Sequence, residues 1–363
     1  MPSSTNTRRK ERKRRRKGRD PRLSNKRTYT MEDVKETFKK KDAWWTVLLV
    51  DPIAARLILP VANRTNITPN QLSIASFIIG MTAALCFYLG CYLALVIGAL
   101  LYHISFIIDC MDGKIARLKG TGTSFGILLD ISLDHVRVAL CGVALAFGQF
   151  RLTGDVTYLY LLTLFLIAYF ARHINALHLY KLRREMRKKL RKARKELYET
   201  AEAAGIVLKP EEKKAEEREE DEESSEDGLQ EKGGPKSLAP LDIPVNSRAD
   251  LQQAFKSKFT TYMKIREFLL AKRIRMHLFS GIEFQMFIFI VAPILGIIKE
   301  TILVGSFLLF AFEAAIIYKM WLSTQDFERE HNKILKSRES IAATLPKDPK
   351  TEEAASQQTK QTG

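Results

Sequence analysis

Six stretches of apolar residues, set apart by dense blocks of charge, constrain this chain more than any other feature. They lie at 71–90, 92–111, 125–148, 157–177, 278–298 and 301–322. An α-helix of roughly 20 apolar residues crosses the ~30 Å hydrocarbon core of a bilayer. Lipid offers a backbone no hydrogen bonds, so such stretches must be helical. The expected fold class is an all-α integral membrane protein with six transmembrane helices. The polar breaks between the stretches are short: Gly90-Cys91, Gly148 to Asp155, and Lys299-Glu300. These breaks hold only Arg151 and Lys299 as basic residues, whereas the other side collects Lys114, Arg117, Lys119 and the run Lys181 to Lys195. By the positive-inside rule both termini are cytoplasmic.

The charge is as segregated as the hydropathy. Lys and Arg outnumber Asp and Glu by 58 to 41, a net charge of +17. Residues 1–41 read as a basic, largely disordered cytoplasmic arm, whose run Arg8 to Lys17 cannot bury itself. No aromatic residue is interleaved there to stack on bases, so anionic membrane lipid is expected as its partner and nucleic acid is not. No secretory leader begins the sequence, which again keeps the N-terminus inside. Residues 42–63 begin with Trp44 and Trp45 and are interrupted by Asp51 and Arg56. That pattern suits an N-terminal juxtamembrane amphipathic helix lying in the interface. Residues 64–177 hold the first four spans, and 178–277 form a charged cytoplasmic insertion. The insertion opens with helical spacing at Leu182, Met186, Leu190, Ala193 and Leu197. It then turns acidic, with eleven carboxylates from Glu211 to Asp227, and is expected to be partly disordered. Residues 278–322 hold the last two spans and 323–363 a polar cytoplasmic tail. Cys86, Cys91, Cys110 and Cys141 lie in or beside apolar segments without metal-ligand spacing, and read as packing residues.

Ionised groups are costly inside a bilayer, so each one marks a function by default. Asp109 and Asp112 close the second span at i, i+3, and Asp130 and Asp134 share one face of the third at i, i+4. Gly126 lies one turn before Asp130 on the same stripe, where it lets two helices approach closely. Four converging carboxylates repel one another without a cation, and hard oxygen ligands suit Mg²⁺ or Mn²⁺. Between the pairs, Gly113 and Ala116 leave space and Arg117 offers a planar fork for phosphate. Metal-holding carboxylates beside such an arginine point to phosphoryl transfer. Paired intramembrane carboxylates also occur in ion or solute transporters. A membrane scaffold that recruits partners through its arm and insertion is the third reading.

The run Asp109-x2-Asp112-Gly113-x2-Ala116-Arg117-x8-Gly126-x3-Asp130-x3-Asp134 resembles the signature of the CDP-alcohol phosphotransferase family. Eight fixed residues over 26 positions all match. The resemblance covers about 42–178 and the last two spans; the arm, the insertion and the tail lie outside it. It implies a six-helix membrane bundle that forms a homodimer. It implies that Asp109, Asp112 and Asp130 hold divalent metal, with Asp134 sharing a second ion. Asp134 would be the general base that deprotonates an acceptor hydroxyl. The oxygen would then attack the β-phosphorus of a CDP-alcohol, and CMP would leave. Asp112, Gly113, Ala116 and Arg117 would contact the cytidine diphosphate. Asn70, in Thr68-Pro69-Asn70-Gln71, would join the cytidine site, or else cap the first span.

The expected donor is CDP-diacylglycerol, made elsewhere, although the motif reads only the CDP part. Arg137, one turn beyond Asp134, with Arg172 and His173, suits an anionic, phosphorylated hydroxyl acceptor. Arg172 could instead snorkel to the interface and His173 serve packing. Of two further intramembrane acids, Glu283 can be solvated near a span end, whereas Glu313 near mid-span needs a partner. A prokaryotic cytoplasmic membrane, with the active site on its cytoplasmic side, is the expected location.

Overall fold

The computed structural model describes residues 28–205, 268–269, 271–275 and 279–343. The basic run at Arg8 to Lys17, the acidic run at Glu211 to Asp227 and the end of the tail lie outside the described residues. The described secondary structure is helical: α1 Met31–Glu36, α2 Thr46–Arg64, α3 Pro69–Leu89, α4 Tyr92–Lys119, α5 Ser124–Thr153, α6 Thr157–Ala203, α7 Gly281–Leu295 and α8 Ile298–Ala342. Five of them, α2, α3, α4, α6 and α8, are long and apolar enough to cross a membrane by length and composition. The stretch expected to lie in the interface, α2, is thus among the five. Its first turn, Thr46–Val50, is π-helical.

The expected span at 278–298 is shortened to the 15-residue α7. The reason lies at its ends. Ser280 and Glu283 form a reciprocal capping box at the start, and Gly296 stops the helix in the left-handed region at φ 70°. Glu283 is fully buried, not solvated: its Oε2 accepts from Ser280 N at 3.1 Å and Ser280 Oγ at 2.6 Å.

Chain signals set the other boundaries in the same way. Thr68 caps α3 with Gln71 as its reciprocal partner and Pro69 in the first turn. Asn70 is therefore not the cap. Gly90, Gly120 and Gly154 end α3, α4 and α5 with positive φ. Helix α3 packs along both α4 and α5, which barely touch one another. The contact of α3 with α5 is tight enough that a Cβ at Gly148 would sit 2.3 Å from Phe87 O. Aromatic side chains from α3, α4, α6 and α7 (Phe87, Tyr102, Phe165 and Phe289) fill the core. Cys141 is buried in it, and all four cysteines are free thiols.

Helices α6 and α8 run side by side in the same direction. With 47 and 45 residues, they are each ~70 Å long, over twice the hydrocarbon thickness. The helical start of the 178–277 stretch is therefore the unbroken continuation of the fourth apolar stretch. Separate apolar clusters hold the two extensions together: Leu179 and Met186 with Ile316 and Met320, then Leu190, Ala193 and Leu197 with Ile334. At the opposite end Lys299 pairs with Asp155, which holds that exposed carboxyl below the usual carboxylate range.

Candidate active site

The aspartates gather where the N-terminal end of α3 meets the end of α4 and the beginning of α5. Carboxylate oxygens of Asp109, Asp112 and Asp130 lie within 4.8 Å of one another. Two serines of α3, one turn apart, hold the pair on α4. Ser73 donates to Asp112, and Ser76 Oγ donates to Asp109 Oδ1 at 3.1 Å. Asp130 Oδ1 is buried and has no hydrogen-bond partner among the described residues. An anionic oxygen in that position is costly unless a cation completes it.

Arg137 is the cation inside the cluster. Its Nη1 reaches Asp109 Oδ1 at 3.2 Å and Ser105 Oγ at 3.1 Å, and it also donates to Ser76. Its Nη2 pairs with Asp134. Arg137 is 3% exposed and is committed to two carboxylates and two hydroxyls. Room for it comes from Gly80, where a Cβ would lie 2.4 Å from Arg137 Cδ. Asp134 stands outside the three-carboxylate group, and its side chain remains 37% exposed against 14% for Asp109. It is the more accessible carboxylate of this pair.

The charge does not balance. Four carboxylates face one arginine, and the unpartnered Asp130 oxygen points into the same space. Hard, converging oxygen donors fit Mg²⁺ or Mn²⁺, so the residues present suit a divalent ion.

Gly126 works differently from expectation. A Cβ there would meet Asn70 Oδ1 at 2.7 Å and Thr123 Oγ1 at 3.0 Å. The glycine admits the Asn70 side chain of α3 and does not bring α4 against α5. Gly113 is the opposite case. A Cβ there would meet only Arg117 Nη1, at 3.7 Å, so no packing demands a glycine. Ala116 lies one turn beyond Asp112 on α4. Arg117 Nε donates to Thr37 O at 2.8 Å, which fixes the guanidinium against the N-terminal segment.

Arg172 Nε pairs with Glu313 Oε1 at 3.1 Å, and Asn175 donates to the same carboxylate. Glu313 thus has the partners its mid-span position requires, and Arg172 does not snorkel. His173 and His135 stack edge to face with centroids 4.4 Å apart, and each Nδ1 lies near a carbonyl one turn back. His135 adjoins Asp134 and places this pair beside the carboxylates.

Sequence reading missed Ser73, Ser76 and Gly80. With Asn70 they form a small and polar stripe at i, i+3, i+6 and i+10 on the first span, the face that α3 turns to the aspartates. It also missed Lys114 and Asp51, a buried pair at 2.8 Å. Nothing in local spacing joins residues so far apart in the chain.

Comparison with known proteins agrees with this geometry. Residues 66–202 match the family model described as CDP-alcohol phosphatidyltransferase. The match begins just before α3 and continues almost to the end of α6. An archaetidylinositol phosphate synthase of Pyrococcus horikoshii is 35% identical over 105 residues, 28% of this chain and 53% of that protein. A phosphatidylinositol phosphate synthase of Corynebacterium glutamicum is 33% identical over 89 residues, 24% of this chain and 37% of that protein. A CDP-diacylglycerol–glycerol-3-phosphate 3-phosphatidyltransferase of Rickettsia bellii is 41% identical over 70 residues, 19% of this chain and 39% of that protein. The chain spans about half the length of the first of these and less of the others. Residues 66–202, which include the helices that assemble the aspartate cluster, are thus similar to the CDP-alcohol phosphatidyltransferase family.

Proposed function

We propose that this protein transfers a substituted phosphate from a CDP-alcohol to an acceptor hydroxyl and releases CMP. The observation that carries the reading is the convergence of Asp109, Asp112 and Asp130 within 4.8 Å, with Asp130 Oδ1 buried and unpartnered, beside the accessible Asp134. CDP-diacylglycerol is the proposed donor. The acceptor is a phosphorylated alcohol; the names of the three relatives, an archaetidylinositol phosphate synthase, a phosphatidylinositol phosphate synthase and a glycerol-3-phosphate 3-phosphatidyltransferase, support that choice.

Asp109, Asp112 and Asp130 would hold one or two divalent ions, Mg²⁺ or Mn²⁺, and Asp134 would share the second. Bound metal supplies neutralisation of the diphosphate and of the leaving CMP. Arg117 binds a donor phosphate with the N–H groups that Thr37 leaves available. Gly113 and Ala116 let the nucleotide lie against α4, and Asn70 borders the cytidine site. Asp134 accepts the proton of the acceptor hydroxyl, and Arg137 keeps that carboxylate oriented. The acceptor oxygen then forms a bond to the β-phosphorus. The bond from that phosphorus to the bridging oxygen breaks, and CMP departs with the electron pair. Arg172 and His173, with His135, line the acceptor side.

The proposed arrangement is a six-span homodimer, α2 lying in the interface, with both termini and the aspartates on the cytoplasmic side of a prokaryotic membrane. Transport is not favoured: it has no use for the open turn at Gly113 or for Arg117, and the matched relatives are named as synthases and a transferase.

The test is CMP release from CDP-diacylglycerol by purified protein with Mg²⁺ or Mn²⁺. The acceptor panel is inositol phosphate, glycerol phosphate, inositol and serine. Acceptor-dependent release that is lost on chelation is expected. Silence with every acceptor, and with smaller CDP-alcohols, would sink the reading.

A further inference from the structure

Residues 271–275, which precede α7, lie against the N-terminal segment that borders the active-site end of α4. Residues 273–275 pair with the N-terminal segment through a parallel bridge between Ile274 and Asp42. Asp42 N donates to Arg273 O at 3.0 Å, and Arg275 N donates to Asp42 O at 2.9 Å. The side chains of Arg275 and Asp42, both nearly buried, pair at 3.5 Å. Arg273 goes deeper. Its Nη2 donates to Lys39 O at 2.9 Å and to Asp51 Oδ2 at 3.2 Å, and its guanidinium lies 5.0 Å from the centre of the Phe38 ring.

The same groups hold the phosphate-facing turn of α4. Asp51 Oδ1 takes Lys114 Nζ at 2.8 Å, and Lys114 Nζ lies 5.3 Å from the centre of the same Phe38 ring. Thr37 O, two residues before the carbonyl that Arg273 holds, fixes Arg117 Nε. Buried Asp51 is thus divided between two cations, one from α4 and one from residue 273. Phe38 lies between those two cations.

Arg273 also has φ 62°, the one positive φ at a non-glycine among the described residues. Side chains rarely adopt that conformation unless surrounding contacts impose it, and such residues concentrate near functional sites. Here two backbone hydrogen bonds, a buried carboxylate and a ring face impose it.

We infer that Arg273 is a positioning residue for donor binding: through Asp51, Phe38 and the 37–39 backbone it sets Lys114 and Arg117 on α4. The inference rests on the proposed donor role of Arg117. It makes the end of the stretch that follows α6 a working part of the active site. Residues 268–275 lie outside the 66–202 match, so this latch is a feature added to the shared domain.

The experiment measures donor and acceptor kinetics, CDP binding with Mg²⁺, and thermal unfolding for the full chain and for Arg273→Ala, Arg273→Lys and Arg275→Ala. Arg273→Ala is expected to raise the donor KM and weaken CDP binding about tenfold, while kcat and the acceptor KM change less than about threefold. Arg273→Lys should recover part of the loss, because an ammonium reaches Asp51 but cannot also fork to Lys39 O. If Arg273→Ala does not fold, Arg275→Ala loosens the same latch at its pairing with Asp42 and should shift the donor KM in the same direction. Lower unfolding temperature with both KM values and CDP affinity unchanged reduces Arg273 to a fold staple and overturns the inference alone. Wild-type protein that neither releases CMP nor binds CDP overturns the donor reading, and the inference with it.

Discussion

Asp134 and Arg137 share one ion pair yet have different tasks, and substitution separates them. Asp134 is the exposed partner and, as the proposed base, meets the substrate. Asp134→Asn should lower CMP release by about 10²–10⁴-fold, the usual span for general-base loss, while CDP binding persists. Equal loss of CDP binding would show that Asp134 serves the nucleotide instead. Arg137 is buried between Asp109 and Asp134. Arg137→Met leaves two carboxylates unpaired and should cost about 3–5 kcal/mol in unfolding measured on metal-free protein. A change under about 1 kcal/mol would mean that the pair contributes no more than a surface ion pair. The aspartates were legible because charge in an apolar run is conspicuous. Arg137 was legible as a residue of interest, but its task was not. An arginine one turn beyond an aspartate reads equally as a ligand for substrate or for its neighbours. Only Gly80 and Ser105, on two other helices, decide that it turns inward.

Glycines separate packing from access at the scale of helices. Gly148 of α5 lies against the backbone of α3, and an added methyl would meet Phe87 O at 2.3 Å. A backbone carbonyl cannot rotate away as a side chain can. Gly148→Ala should therefore destabilise the protein by about 1–3 kcal/mol through overpacking. Gly113→Ala meets only Arg117 Nη1 at 3.7 Å and should leave the unfolding temperature unchanged. It should raise the donor KM, since the methyl enters the space assigned to the nucleotide. Matched thermal scans and donor titrations check both; a Gly113→Ala protein that is destabilised but binds donor normally would move Gly113 from the site to the scaffold. The elements themselves were readable from apolar length, capping residues and terminal glycines. Helix α7 was overestimated because apolar residues continue past both of its stops. The capping box at Ser280 and Glu283 and the left-handed Gly296 outrank hydropathy there.

As a whole, the molecule joins a bundle that holds the aspartates to a two-helix extension of α6 and α8. The extension has its own apolar clusters and its own ion pairs, Arg338 with Glu196 and Arg194 with Glu330. Regions with separate cores open separately. Leu190→Asp combined with Ile334→Asp should melt the extension, seen as faster amide exchange over 187–203 and 327–342, while CMP release stays within about twofold because the catalytic cluster packs elsewhere. Loss of activity would show that the extension supports the site mechanically. The sequence by itself determined a helical chain with helices long and apolar enough to cross a membrane, the segregation of its charge, and the aspartate motif. Apolar length, charge asymmetry and i, i+3 or i, i+4 spacing are local properties that survive without any knowledge of packing. Tertiary structure alone decided that α3 helps organise the aspartates through Ser73 and Ser76, beside the direct pairing of Arg137 with Asp109 between α5 and α4. It alone decided that Arg137 faces inward, that Arg172 answers Glu313, and that Arg273 and Lys114 divide Asp51. These are pairings of charged and polar groups far apart in the chain. Which partner a buried charge takes depends on the geometry with which helices meet, and that geometry is a property of the packed whole.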